Sequence, residues 1–167
     1  MTEQRAGRWR ATVSAVGVVL AAMAVGGEQP APALINESPS LPRGLYLRVD
    51  MAITPGAVVA VPQPLAVRPY LERLGMPRDV LLLKRVAALG GEGVCAVDGM
   101  VVTPERRART ADRDRHGAVL PAWRQCRVLA ADEVFLLGDT PGSFDSRYFG
   151  PVRRSDVVGV YREILTW

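Results

Sequence analysis

The sequence predicts a mainly β, exported domain preceded by one apolar N-terminal segment. Three observations carry that expectation. Short β-prone runs follow one another between turns rich in Gly, Pro, Asn and Asp, with few convincing helices and no internal repeat. An uncharged run from Ala11 to Gly27 stands directly behind Arg5, Arg8 and Arg10, the arrangement of a secretory signal or a signal anchor whose basic flank stays in the cytoplasm. The cysteine count is even, Cys95 and Cys126, and in an exported chain such a pair favours a disulfide over two buried free thiols.

These observations divide the chain. Residues 1–10 form a cytoplasmic basic tail and 28–35 an extended linker, with 36–167 as the exported, periplasmic domain. Between tail and linker, residues 11–27 make a transmembrane or signal helix, at the short end of the ~20 residues that cross a bilayer. A buried core helix fits this run less well, because its apolar residues surround the helix on every side. Of 167 residues 49% are hydrophobic, enough for one domain with a real core. The net charge of +4 is modest. The densest basic stretch, Glu105 to His116, is interrupted by acids and holds no aromatic residue. It reads as a solvated loop, and no nucleic-acid partner is expected. A single histidine and the lack of a Cys-x-x-Cys pair argue against a metal site, and no cofactor is implied.

Taken in order, Asn36 to Gly44 is dense in turn formers, and Leu45 to Val49 alternates as a strand. Thr54-Pro55-Gly56 is a turn before the β-prone run Ala57 to Val61. Pro62 to Gly75 holds a short helix with Leu65, Tyr70, Leu71 and Leu74 on one face, provided Pro69 falls in its first turn. Val80 to Leu89 is a buried strand that Gly90-Gly91 ends. Gly93 to Val97 and Val101-Val102 flank Asp98-Gly99, a strong hairpin signal. Residues 104–126 make a long excursion pinned by the cysteines, whose bond would close a loop of roughly 30 residues and stabilise by about 3–4 kcal/mol. Val134 to Gly138 is a strand, Asp139 to Gly150 a polar loop, and Val157 to Trp167 a final strand. Trp123 and Trp167 read as packing residues, with a bilayer contact as the alternative.

Among 21 lysines and arginines only Lys84 is a lysine, and it lies inside the apolar run Leu81-Leu82-Leu83-Lys84-Arg85-Val86. Arginine stays protonated at any relevant pH, whereas a desolvated lysine can become a neutral amine and act as a base. The alternative is a strand lysine that snorkels its amine to water. Two further segments align with it: Ser38-Pro39-Ser40-Leu41-Pro42, which holds serines in a tight turn, and the loop from Gly138 to Gly150. With one histidine, in a charged loop, a Ser-His-Asp triad is not expected. A serine nucleophile served by a neutral lysine is. Ser38 and Ser40 are both open as that nucleophile.

The three segments, in this order, resemble those of the type I signal peptidases, serine proteases with a Ser/Lys dyad, and most of all their TraF-type conjugative branch. Asn36-x-Ser38-x-Ser40-Leu41-Pro42-x-Gly44-Leu45-Tyr46 is similar to the nucleophile segment, and Leu82-Leu83-Lys84-Arg85-Val86 to the lysine segment. Ser143-Phe144-Asp145-Ser146-Arg147-Tyr148-Phe149-Gly150-Pro151 is similar to the last box. Ser-Leu-Pro in place of Ser-Met-x-Pro, and Thr140-Pro141-Gly142 in a shortened final box, also resemble the TraF-type branch.

The resemblance implies a signal-peptidase/LexA-like β-fold. It implies Ser40 as nucleophile, because the family's nucleophile directly precedes a Leu or Met, and Lys84 as general base. It implies an oxyanion hole made by the Ser38 hydroxyl and the Ser40 backbone N–H, with a turn-forming serine as the alternative for Ser38. Ser143 would hydrogen-bond the Lys84 amine and aim it. Asp145 and Arg147 would pair beneath the site and brace the strand that carries Lys84. Asp139 is a turn residue or an alternative acid, and His116 is solvated.

The implied protein is a serine endopeptidase anchored in the inner membrane by its N-terminal helix, with its catalytic domain facing the periplasm. Its substrate would be a signal-bearing pre-protein, a conjugative pilin or transfer-apparatus precursor. The acyl-enzyme would be released by water or, as in some TraF-type relatives, by the substrate's own N-terminus. The alternatives are a general signal peptidase I and a non-catalytic exported component of a secretion or conjugation apparatus. For the latter, Lys84 would be exposed and remote from Ser40. A LexA-like self-cleaving regulator shares the dyad, but a DNA-binding helical domain would stand where this chain has its apolar run.

Overall fold

The structure is a computed structural model that describes residues 30–167. The expected basic tail at 1–10 and apolar helix at 11–27 lie outside the described residues. Among the described residues no helix is long and apolar enough to cross a membrane. One compact unit extends from Pro32 to Trp167.

That unit is mainly β. Its strands are β1 (Ala33–Asn36), β2 (Gly44–Val49), β3 (Val58–Val61), β4 (Leu82–Leu89), β5 (Gly93–Val97), β6 (Met100–Val102), β7 (Arg107–Arg109), β8 (Cys126–Val128), β9 (Glu133–Leu137), β10 (Val152–Arg153) and β11 (Gly159–Thr166). Two short helices, α1 (Arg68–Arg73) and α2 (Ser146–Phe149), interrupt them. The larger sheet runs β1-β2-β11-β3-β4-β9-β10 and the smaller β7-β6-β5-β8. Every pairing is antiparallel.

The centre of the large sheet is covered on both sides, which explains why β3, β4 and β9 are buried without alternation. Along β3, Val59 and Val61 join one core with Val86, Val134 and Leu136, while Val58 and Ala60 face another with Leu41, Tyr46 and Tyr161. Along β9, Phe135 and Leu137 turn to a third core that includes Val94, Val101 and Trp123. Successive strand residues point to opposite faces, so a strand buried on both sides has no room for a polar residue without a partner. Lys84 occupies such a position on β4, opposite Val59.

The hairpin expected at Asp98-Gly99 forms, with both residues at positive φ (48° and 71°). Cys95 and Cys126 lie opposite each other on β5 and β8 and are joined as a disulfide. Pro69 falls in the first turn of α1.

Several expectations need correction. The presumed linker at 28–35 already contains most of β1, which pairs with β2, while Pro32 accepts a hydrogen bond from the Arg48 N–H. A proline just before an edge strand forfeits no ladder hydrogen bond, so the proline-rich approach hid this strand. The helix at 65–73 begins as a 3₁₀ turn, which shifts its phase: Val67, Tyr70 and Leu71 are buried, while Leu65 and Leu74 are exposed. The polar loop after Asp139 contains α2. The charged stretch at 105–116 is only partly solvated, since it contributes β7 to the small sheet. Trp123 packs edge-on against Phe135, but Trp167 is 61% exposed and is no packing residue.

Candidate active site

The turn between β1 and β2 is tied by one side chain. Buried Asn36 donates through Nδ2 to the carbonyls of Ser38, Leu41 and Pro42 at 2.9, 3.1 and 3.0 Å, and its Oδ1 accepts from the Ser38 N–H at 3.2 Å. Asparagine suits this role because its amide both donates and accepts over a short reach. The Tyr46 hydroxyl, pushed up to about 12 chiefly by burial, donates to the Pro42 carbonyl at 2.8 Å. The turn is therefore held at both ends, and it carries Ser38 and Ser40 at its crest.

Ser40 and Lys84 meet. Each is 4% exposed, and the Lys84 Nζ stands 2.9 Å from the Ser40 Oγ. The Leu83 carbonyl accepts a second bond from the amine at 3.0 Å. Burial pushes the Lys84 amine down from 10.5 to about 8; Arg147 acts in the same direction, while Asp145 and Asp139 oppose it. An arginine here would keep its charge and could not take up a proton from Ser40.

Ser38 is exposed beside the pair. Its hydroxyl donates to the Ser40 Oγ at 3.0 Å and accepts from the Ser40 N–H at 3.2 Å. This is the turn-forming arrangement. It also places the Ser38 hydroxyl next to the backbone N–H that would complete an oxyanion hole, and a rotation of that hydroxyl would free both donors for a substrate oxygen.

Asp145 and Arg147 pair as expected, at 0% and 1% exposure. Asp145 caps α2, accepting from the Arg147 N–H at 3.2 Å, from Arg147 Nε and Nη2 at 2.8 Å each, and from the Gly138 N–H at 2.9 Å. Arg147 also donates to the carbonyls of Ser143 and Pro141, at 2.8 and 3.2 Å, and to that of Arg109. The pair thus braces the end of β9 and the loop behind Lys84 rather than β4 itself. β4 feels it through its pairing with β9.

Ser143 departs from expectation. Its hydroxyl is buried without a hydrogen-bond partner and makes no bond to Lys84. It lies instead over Gly138, where any Cβ would overlap the Ser143 hydroxyl. Lys84 has Ser40 and Leu83 as its hydrogen-bond partners.

Three residues act at the site through contacts that the sequence does not specify. Asn36 belongs to the segment that resembles the nucleophile box, but its tie across the turn comes from the fold. Asp139 makes a two-pronged bond with Arg85, from Nε at 3.0 Å and Nη2 at 2.8 Å. Its own N–H donates to the Ser40 carbonyl at 2.6 Å. Arg85 beside it holds the Asp139 carboxyl below the usual carboxylate range. The third is Arg106, whose Nη2 donates to the Gly138 carbonyl at 2.6 Å. No pattern in the chain marks contacts between charges as far apart as Arg85 and Asp139, 54 residues. Arg85 follows the unusual lysine directly, and that adjacency was the one available signal. His116 is exposed, as expected.

The family described as signal peptidase, peptidase S26, matches residues 6–167 of this chain. A plasmid transfer protein TraF of Escherichia coli is 33% identical over 168 residues, covering 92% of this chain and 94% of that protein. A probable conjugal transfer protein TraF of Sinorhizobium fredii is 32% identical over 171 residues, 93% of this chain and 86% of that protein. A conjugal transfer protein TraF of Agrobacterium tumefaciens is 32% identical over 168 residues, 91% of this chain and 90% of that protein. With a buried serine–lysine pair and matches along nearly its whole length, the chain belongs to the peptidase S26 family of signal peptidases, in its TraF-type branch.

Proposed function

We propose that this protein is a Ser/Lys endopeptidase that processes an exported precursor of a conjugation apparatus, a pilin or transfer-apparatus precursor, at the periplasmic face of the inner membrane. The observation that carries the reading is the 2.9 Å approach of a buried amine to a buried hydroxyl, with the amine held near pH 8 by desolvation. In the neutral form Lys84 accepts the Ser40 proton as the Ser40 Oγ attacks the scissile carbonyl. The Ser40 N–H and a rotated Ser38 hydroxyl receive the developing oxyanion. Lys84 then delivers its proton to the leaving amine, the acyl-enzyme forms, and water or a substrate amine releases it. The relatives' names, plasmid and conjugal transfer proteins, support a conjugative substrate, and the apolar run at 11–27 supports the membrane position. A non-catalytic role would leave Lys84 exposed and distant from Ser40, and the geometry speaks against it.

The test is co-expression of the full chain with a candidate pilin precursor and mass spectrometry of the product. A precursor shortened by the wild type, and left intact by Ser40→Ala and Lys84→Arg variants that still fold, supports the reading. Wild-type processing by Lys84→Arg would exclude Lys84 as the base. A shortened product with or without the mass of one added water separates hydrolysis from cyclisation.

A further inference from the structure

The charged stretch at 105–116 reads as a solvated loop in the sequence, yet it grips the loop from Gly138 to Gly150. Arg109 offers its carbonyl to Arg147, and the Ala111 N–H donates to the Tyr148 hydroxyl at 3.2 Å. Farther along, Asp114 accepts from the Tyr70 hydroxyl at 3.0 Å, and the Trp123 N–H donates to the Arg147 carbonyl at 2.9 Å. The contact nearest the nucleophile is Arg106. Buried Thr103 pins its backbone at both ends: the Arg106 carbonyl accepts from the Thr103 N–H and Oγ1 at 2.9 and 3.0 Å, and the Arg106 N–H donates to Oγ1 at 3.1 Å. The guanidinium then reaches the Gly138 carbonyl at 2.6 Å, with Nη1 3.8 Å from Asp139.

We propose that Arg106 is a positioning residue for the Ser40–Lys84 pair, acting through Gly138 and Asp139. The path is continuous. Arg106 fixes the peptide at Gly138 and faces the Asp139 carboxylate; Asp139 grips Arg85, the neighbour of Lys84; and the Asp139 N–H holds the Ser40 carbonyl. Loss of the Arg106 fork frees the loop on the side where the nucleophile hangs from it. The half-buried guanidinium also balances Asp139. The charged groups around Lys84 are Asp145, Arg147 and Asp139, and those around Asp139 are Arg85, Arg106 and Lys84. Arg106 reaches the amine only through Asp139: without that guanidinium the Asp139 anion is less balanced and favours the charged Lys84, whereas removing Asp139 disfavours it.

This inference rests on the peptidase reading, and its test separates the two. The full chain in detergent is assayed with p-nitrophenyl acetate, subtracting the rate of Ser40→Ala, and Lys84 is titrated by the ¹³C signal of ε-labelled lysine. Because the chain has one lysine, that signal is unambiguous. Arg106→Ala and the bulkier Arg106→Gln are expected to lower kcat about 10- to 100-fold with KM little changed, as misplacement by about 1 Å does. Their Lys84 midpoint is expected to move up, whereas Asp139→Asn moves it down. Arg106→Lys should restore the midpoint but only part of the rate, since it keeps the charge and loses the fork. Arg107→Ala, in the exposed neighbour, should change neither. Wild-type rate and midpoint in both Arg106 variants would overturn the proposal. So would a lowered rate with an unmoved midpoint, which reduces Arg106 to a structural brace. A wild-type chain without Ser40-dependent turnover counts against the peptidase reading alone, because the midpoint still reports the link from Arg106 to the amine.

Discussion

The Ser40 hydroxyl sits between two neighbours, the Lys84 amine at 2.9 Å and the Ser38 hydroxyl at 3.0 Å. In the proposed mechanism the amine takes the Ser40 proton and the Ser38 hydroxyl receives the new charge, so replacing Ser38 by alanine would remove one oxyanion donor and leave the amine in place. We expect kcat to fall about 10²- to 10³-fold, with the Lys84 titration unmoved, in steady-state kinetics and NMR on one preparation. Lys84 was legible in the sequence because a lone lysine in an apolar run conflicts with its surroundings. Ser40 was legible only through the family's pattern, since Ser38 has the same chemistry two residues away. Asn36 was legible as part of the nucleophile segment and Asp139 as a turn residue or alternative acid, but the contacts these two make, and any part for Arg106, were not. Asparagine, aspartate and arginine are ordinary in turns and loops, and what distinguishes these three is where the fold delivers their polar ends.

At the scale of elements, the loop from Gly138 to Gly150 is organised by one buried ion pair. Methionine in place of Arg147 would strand the fully buried Asp145 carboxylate and leave the Arg109, Pro141 and Ser143 carbonyls without their donor. We expect a loss of about 3–5 kcal/mol in urea unfolding, and a smaller loss when Asp145→Leu accompanies it, because the two sites are coupled. The long strands were readable from their apolar runs and from the Asp98-Gly99 turn. β7, β8 and β10 were not, because two- and three-residue strands such as Arg-Ala-Arg hold too few side chains to show a period, and their pairing is set by neighbours. α2 was hidden for a similar reason: one turn, started by an Asp145 cap, carries no helical repeat.

For the whole molecule, the consequence of the site is a pH dependence of stability. The unfolded chain holds the Lys84 proton up to about pH 10.5, while the folded chain releases it near 8. Between those values the unfolded state binds more protons, so stability rises with pH. Below about pH 8 the folded state carries the full desolvation cost, about 3 kcal/mol for a shift of this size. Lys84→Met is therefore expected to be more stable than the wild type at pH 7 by up to about that amount, with the difference fading towards pH 10.5 in denaturant titrations. Activity is expected to follow the neutral amine, rising about tenfold per pH unit below 8 and levelling above it. The disulfide between Cys95 and Cys126 was readable from export and an even count, because redox compartment is a property of the whole chain. The central claim is that a desolvated amine is poised against Ser40, and the most direct measurement is the ε-¹³C titration of the chain's single lysine in the full-length protein. A midpoint near 8 is the predicted result; a midpoint at the ordinary lysine value of about 10.5 would contradict the account.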